Sequence, residues 1–182
     1  MKNLQTGLLV ASTITAGLMA GLFFTFAVVV MPALRSSDDE VFVSVMNRIN
    51  VVIVNPVFLL VYMGGLIFSA VAAILVWRDG NRTALPWVIA GLVLYVVMFL
   101  VTSGANIPLN DQLATVANGD FTSARAHFEG AWVVWNVART LANVAAFGCL
   151  AYALVLHGRG NPVVAAAPPV YAPQAAWVAT AR

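Results

Sequence analysis

Apolar residues run through this chain in four long blocks, separated by short stretches where charge and turn-forming residues return. Leu4 to Leu34 contains no charged residue, and Ile49 to Trp77 has only Asn50 and Asn55 as strongly polar members. Ala84 to Ser103 is a third block; Trp132 to Leu156 is a fourth, interrupted by Arg139. A helix needs about 20 apolar residues to cross a hydrocarbon core, whereas a helix of a soluble domain needs only one apolar stripe. The pattern predicts an all-α fold, a four-transmembrane-helix bundle forming one domain over residues 1–157. A short interfacial helix is expected between spans three and four. Ser103 and Gly104 end the third span, Pro108 suits a first helical turn, and Leu109, Leu113 and Val116 then share one face. That piece reads as a lid lying along the membrane surface. Residues 158–182 are rich in Ala and Pro, lack periodicity, and read as a disordered cytoplasmic tail.

Composition agrees with this class: 62% of residues are hydrophobic, 9% are charged and the mean hydropathy is +0.91. A soluble surface needs far more charge. The first block is longer than a signal-peptide core of about 7–15 residues, and no small-residue cleavage site follows it, so it reads as a retained span. The pI near 9.0 does not point to nucleic acid, because the basic residues form no patch. They mark topology instead. Lys2, Arg78, Arg82, Arg159 and Arg182 fall at one end of the expected bundle, and Arg35, Arg48 and Arg125 at the other. The excess of Lys and Arg predicts both termini in the cytoplasm, an N-in/C-in protein of the cell membrane. Gly17 with Gly21, and Gly65 with Ser69 and Ala73, have the four-residue spacing that lets helices approach closely. Cys149, the single cysteine, reads as packing.

The chemistry gathers at the opposite, outer end. In "HFEGAWVVWNVART" (127–140) and just beyond it, Glu129, Trp132, Asn136, Arg139 and Asn143 recur at intervals of three and four, one face of a helix, with Trp135 on its flank. An arginine in hydrocarbon costs about 2.5–3.5 kcal/mol on insertion scales, so this stripe should face the bundle interior. Asn50 and Asn55 at the start of the second span, and Asn106 and Asn110 after the third, lie at a similar depth. Phe23, Phe24, Phe26 and Met31 offer an aromatic wall from the first. Two readings stay open: a small-molecule site, which needs a cavity lined by Trp132, Trp135, Asn136 and Arg139, or a packed polar plug that holds the helices together. Two histidines, His127 and His157 at opposite ends, cannot build a multi-histidine metal centre in one chain, so no metal site is expected. His127 and Glu129, two apart, share no helix face and could meet only in a loop.

The stretches "GLMAGLFFTFAVVVMPAL" (17–34), "MNRINVVIVNPVF" (46–58), "NIPLNDQL" (106–113) and "FEGAWVVWNVART" (128–140) together resemble the anthrone-oxygenase-like family of four-span membrane proteins. The likeness runs from about Gly17 to Tyr152. It implies oxidation of a hydrophobic anthrone- or quinol-like aromatic by molecular oxygen, with no bound cofactor. Such chemistry needs a base, a partner for the developing anion and an apolar aromatic slot. His127 or Glu129 is the candidate base. Arg139, Asn136 and Asn110 are candidates to hold the oxyanion; Trp132, Trp135 and Phe24 to stack on flat rings; Asn50, Asn55 and Asn106 to line the same outer-leaflet pocket. The implied partners are membrane lipids and a hydrophobic aromatic small molecule. The competing class is a non-catalytic membrane protein that binds a lipid or partner, assembles with itself, or serves as a subunit of a larger complex.

Overall fold

In the computed structural model, which describes residues 2–116 and 119–159, the chain forms five helices. Four are long and apolar enough to cross a membrane: α1 (Lys2–Arg35), α3 (Pro56–Arg78), α4 (Leu85–Ala114) and α5 (Phe121–Arg159). Between α1 and α3 lies α2 (Asp39–Ile53). Helix α5 packs on α1 and α4, and α3 packs on the same two from the other side, which closes a four-helix bundle. The register of α1 against α5 is antiparallel: Asn143 Nδ2 donates to the Ala16 carbonyl, Asn136 Nδ2 to the Phe23 carbonyl, and Thr6 meets His157 near the far end. The N-terminal end, the 79–84 turn and the end of α5 therefore share one end of the bundle. The tail expected over 158–182 falls, beyond Arg159, outside the described residues.

The spans depart from the apolar blocks in instructive ways. The block Ile49–Trp77 is two helices, not one. Pro56 has no N–H and disfavours a helical conformation in the residue before it. Asn55 accordingly turns extended (φ −124°, ψ 161°), and its Oδ1 accepts hydrogen bonds from the N–H groups of Val57 and Phe58 at 3.1 and 3.0 Å. Upstream, the residues expected as loop form α2, with Asp39 and Glu40 in its first turn where the helix dipole favours acids. It buries Phe42, Val43 and Met46 on one face.

The third span does not stop at Ser103. Residues 107–114, expected as a separate interfacial helix, continue α4 through a π-helical turn at Thr102–Asn106. A matching turn occupies Phe26–Val30 in α1, so Pro32 does not end that helix either. The cause is shared. A proline ring collides with the carbonyl four residues before it, here Val28 and Gly104, and both carbonyls lie in the widened turns. The fourth helix begins at Phe121, eleven residues ahead of its apolar block, so His127 and Glu129 are both helical.

Close packing holds the middle of the bundle. A Cβ at Gly65 would overlap the Tyr95 ring, and one at Gly91 would lie 2.7 Å from Leu150 Cγ. Ser69 is fully buried and returns its hydroxyl to the Gly65 carbonyl at 2.7 Å. The other expected small pair behaves differently: Gly17 lies under Phe147, while Gly21 faces open space. A second core, at the end of the bundle where α5 begins, joins α2 to α1, α4 and α5 through Phe26, Met31, Phe42, Met46, Leu113, Phe128 and Trp132. Leucines such as Leu60, Leu100 and Leu141 remain exposed on the bundle's outside, a surface suited to lipid.

Candidate functional site

Where the two cores meet, the bundle buries a guanidinium. Arg139 projects inward from α5 and is 7% exposed. Its Nε and Nη2 donate to Asn136 Oδ1 at 3.1 and 3.0 Å, one helical turn earlier. The Asn136 amide in turn donates to the Phe23 carbonyl at 3.3 Å, which ties the pair to α1. The cation lies 4.2 Å from the centroid of the Phe23 ring and 5.2 Å from that of Trp132, within range of both π faces. Among the described residues it makes no ion pair. The three ion pairs all lie nearer the start of α5.

Helices α3 and α4 complete the enclosure. Tyr62 stacks between Phe58 and Phe99, with centroids 5.6 and 5.1 Å away. Its hydroxyl is buried without a hydrogen-bond partner, within electrostatic range of Arg139 and beside Thr102 and Ser103. The π-helical turn of α4 brings Asn106 inward, where Nδ2 donates to the Trp132 carbonyl at 3.3 Å and Oδ1 is left unpartnered. Asn110, one turn further, accepts the Trp132 indole N–H at 2.8 Å. Trp132 is thus held at both its backbone and its ring, and it separates the Arg139 centre from the rest of the second core. Arg139, the amides of Asn136 and Asn106, the Tyr62 phenol and the faces of Phe23 and Trp132 gather from four helices, a set with the chemistry to hold an anionic, planar group.

A sequence model of the anthrone oxygenase family matches residues 58–149. The chain belongs to that family. The matched segment holds Tyr62, Thr102, Asn106, Trp132, Asn136 and Arg139, whereas Phe23 and all of α2 precede it. Neither the curated proteins nor the solved structures give a match.

In this anthrone oxygenase family member, Trp132, Asn136, Arg139, Asn106 and Asn110 come together as one connected group. Other expected residues lie elsewhere. Phe24 is 54% and Trp135 44% exposed on the outside of the bundle, and it is Phe23 that faces the guanidinium. Asn55 is engaged in capping α3, and the partly buried Asn50 has an unpartnered Nδ2. His127 is exposed, with Nδ1 2.8 Å from the Ser123 carbonyl. Glu129 accepts from Arg35 and Arg125 at 2.9 Å each. Ten residues separate Glu129 from Arg139, about 15 Å of helix rise, so neither His127 nor Glu129 reaches the guanidinium. Phe23 was expected only as part of an aromatic wall, with Phe24 taken as the stacking residue, and Tyr62 was missed, because nothing in a wholly apolar helix distinguishes an inward aromatic from an outward one.

Two recesses open near this end. One, of about 380 Å³, lies among Arg35, Asp39, Thr122, Arg125 and Glu129. The other, of about 360 Å³, is apolar and lies between α1 and α2. Arg139 lines neither.

Proposed function

We propose that this anthrone oxygenase family member oxidises a hydrophobic, anthrone- or quinol-like aromatic with molecular oxygen, and that Arg139 holds the anion through which the reaction passes. The observation that carries this reading is a buried cation with no carboxylate partner, flanked by aromatic faces. A buried charge left unpaired is costly unless something else compensates it; a phenolate-like substrate does so. Loss of the acidic anthrone methylene proton to water leaves an electron pair delocalised onto the opposite carbonyl oxygen, which Arg139 receives, with the Tyr62 hydroxyl as a second donor. That electron-rich anion reduces oxygen, and a carbon–oxygen bond forms as a peroxide. Once reprotonated, the hydroperoxide loses the second methylene proton and its O–O bond breaks, leaving a carbonyl and one water. One oxygen molecule is consumed per carbonyl made. His127 and Glu129 are not carried forward as the base, given their partners and their distance along α5.

The test is oxygen uptake by the purified protein in lipid nanodiscs with emodin anthrone, together with mass spectrometry of the product. Equal amounts of oxygen consumed and anthraquinone formed, above the spontaneous rate, are expected. No rate above the spontaneous one overturns the catalytic reading. The packing of Arg139 against Asn136 and Phe23, away from both recesses, favours a second reading, a polar plug in a non-catalytic lipid- or partner-binding protein; it requires that Arg139→Met weaken the fold.

The N-in/C-in orientation belongs to the same proposal, supported by the larger number of Lys and Arg at the end where α1 begins and α5 finishes. Cysteine labelling at Asn81 and Asp111 checks it. An impermeant reagent should reach Asp111→Cys from outside and fail to reach Asn81→Cys.

A further inference from the structure

The apolar recess between α1 and α2 has features that packing alone does not require. Its floor includes Phe26, at the start of the π-helical turn of α1, and its far wall is Ile49, Val52 and Ile53 of α2. Helix α2 packs through Phe42, Val43 and Met46 in its first half, while its last turns, from Asn47 to Ile53, hold no buried residue and leave the gap beside α1. Around its mouth Val51, Val52, Val54 and Val57 are 56–71% exposed, a rim that belongs in hydrocarbon. At one end stands Arg48, exposed and without an ion pair or hydrogen bond among the described residues. Behind the floor, the Phe26 ring lies 5.6 Å from Trp132, and Trp132 lies 5.2 Å from the Arg139 guanidinium. Two aromatic rings in series, Phe26 and then Trp132, therefore stand between the recess and the buried cation.

We propose that this recess is the membrane-side entrance of the Arg139 site: a planar aromatic with an acidic hydroxyl slides in from the lipid, its anionic edge held by Arg48 and its rings laid on Phe26. The dimensions favour a compact ring system. From Arg48 to Ile53 the wall runs about 7.5 Å along α2, and a volume of about 360 Å³ lies at the small end of ligand sites, roughly 300–1,000 Å³. An extended acyl chain would overshoot it. Phe26 and Trp132 must part for the ligand to advance, and the π-helical turn, which lacks the regular hydrogen-bond ladder, is where α1 yields most readily. The last turns of α2, beyond the buried Met46, supply the opposite movement.

This rests on the proposed function for what happens beyond Phe26, but the recess can be read without turnover. The probe is emodin, an acidic planar tricycle, titrated calorimetrically into the full-length protein in phosphatidylcholine nanodiscs. Val52→Trp fills the recess from an exposed position, and Arg48→Gln removes the cation at its mouth; both should keep the wild-type melting temperature. Each is expected to weaken emodin binding by about fivefold to tenfold. Arg48→Gln should leave binding of the fully O-methylated anthraquinone unchanged, because that ligand has no acidic edge. In oxygen uptake with emodin anthrone the effect should fall on KM rather than kcat. Wild-type emodin affinity in both variants overturns the entrance, as does loss of a co-purifying phospholipid from Val52→Trp with emodin binding intact, which would make the recess an acyl-chain site. Failure of the catalytic reading looks different: no turnover in the wild type, with emodin binding still sensitive to both substitutions.

Discussion

Two arginines on α5, fourteen residues apart, show how differently one side chain can be housed. Arg125 and Arg139 both lie over a phenylalanine ring, Phe42 at 4.6 Å and Phe23 at 4.2 Å. There the likeness ends. Arg125 pairs with Glu129 at 2.9 Å and Asp39 at 3.0 Å, and its two Nη atoms donate to the carbonyls of Ser37 and Arg35. All three guanidinium nitrogens donate, and both Nη atoms pin the turn between α1 and α2 onto α5. Arg139 has one amide oxygen and two ring faces, and no carboxylate among the described residues. The first is a latch, complete as it stands. The second is an incomplete electrostatic arrangement, and incompleteness in a buried place is what a binding site for an anion requires.

The sharpest way to break this comparison is to neutralise each arginine in turn. Arg139→Met leaves no orphaned carboxylate behind, so the melting temperature should hold or rise, while oxygen uptake with an anthrone should fall about 100-fold or more, the usual cost of losing an oxyanion partner. Arg139→Lys should fold equally well and still lose most activity, because an ammonium lacks the planar fork of donors that reaches Asn136 and a ligand together. A collapse of stability in Arg139→Met, with activity following it, would make Arg139 a second latch.

The same contrast shows what could be read from sequence. The apolar blocks announced four spans because hydrophobic length is a composition signal that needs no tertiary information. The boundaries were less legible. Asn55–Pro56 splits a block into two helices although both sides are apolar, and π-helical turns carry α1 and α4 through Pro32 and Pro108, where proline normally suggests an end. The stripe of Trp132, Asn136 and Arg139 was readable because a polar side chain in hydrocarbon has few places to point. Phe23 for Phe24 was not, since a shift of one residue turns a helical side chain by about 100° without any change in composition. Arg125 was read as a loop charge; its role depends on α2, which only the tertiary structure reveals.

A smaller effect belongs to the latch. Arg125→Met leaves Glu129 with Arg35 alone and Asp39 with Thr122, in a place where solvent can partly compensate. The expected cost is about 1–2 kcal/mol, seen as a lower thermal midpoint and faster hydrogen exchange in α2. Because Arg125 lies about 21 Å along α5 from Arg139, kcat should stay within about twofold of the wild type. A large loss of activity at full stability would erase the division between the two arginines.

The smallest effect is a pH dependence confined to the latch. The Thr122 hydroxyl, which donates to Asp39 Oδ2 at 2.6 Å, and then the Arg125 guanidinium hold the Asp39 carboxyl below its ordinary value of 3.8. A carboxylate whose pKa is lowered by folding stabilises the fold above its unfolded pKa, and that contribution disappears as pH falls through the folded value. The latch should therefore be fully engaged from about pH 5 upward and weaken below about pH 4. Asp39→Asn should lower the thermal midpoint slightly at pH 6 and flatten its decline between pH 5 and pH 3, while Thr122→Val should move that decline to higher pH. Since the partly exposed Asp39 faces Arg125 and not Arg139, neither substitution should alter emodin affinity at neutral pH. If Asp39→Asn weakened that affinity as strongly as it flattened the acid transition, the two arginine environments would be one coupled system, and the latch would be controlling the site.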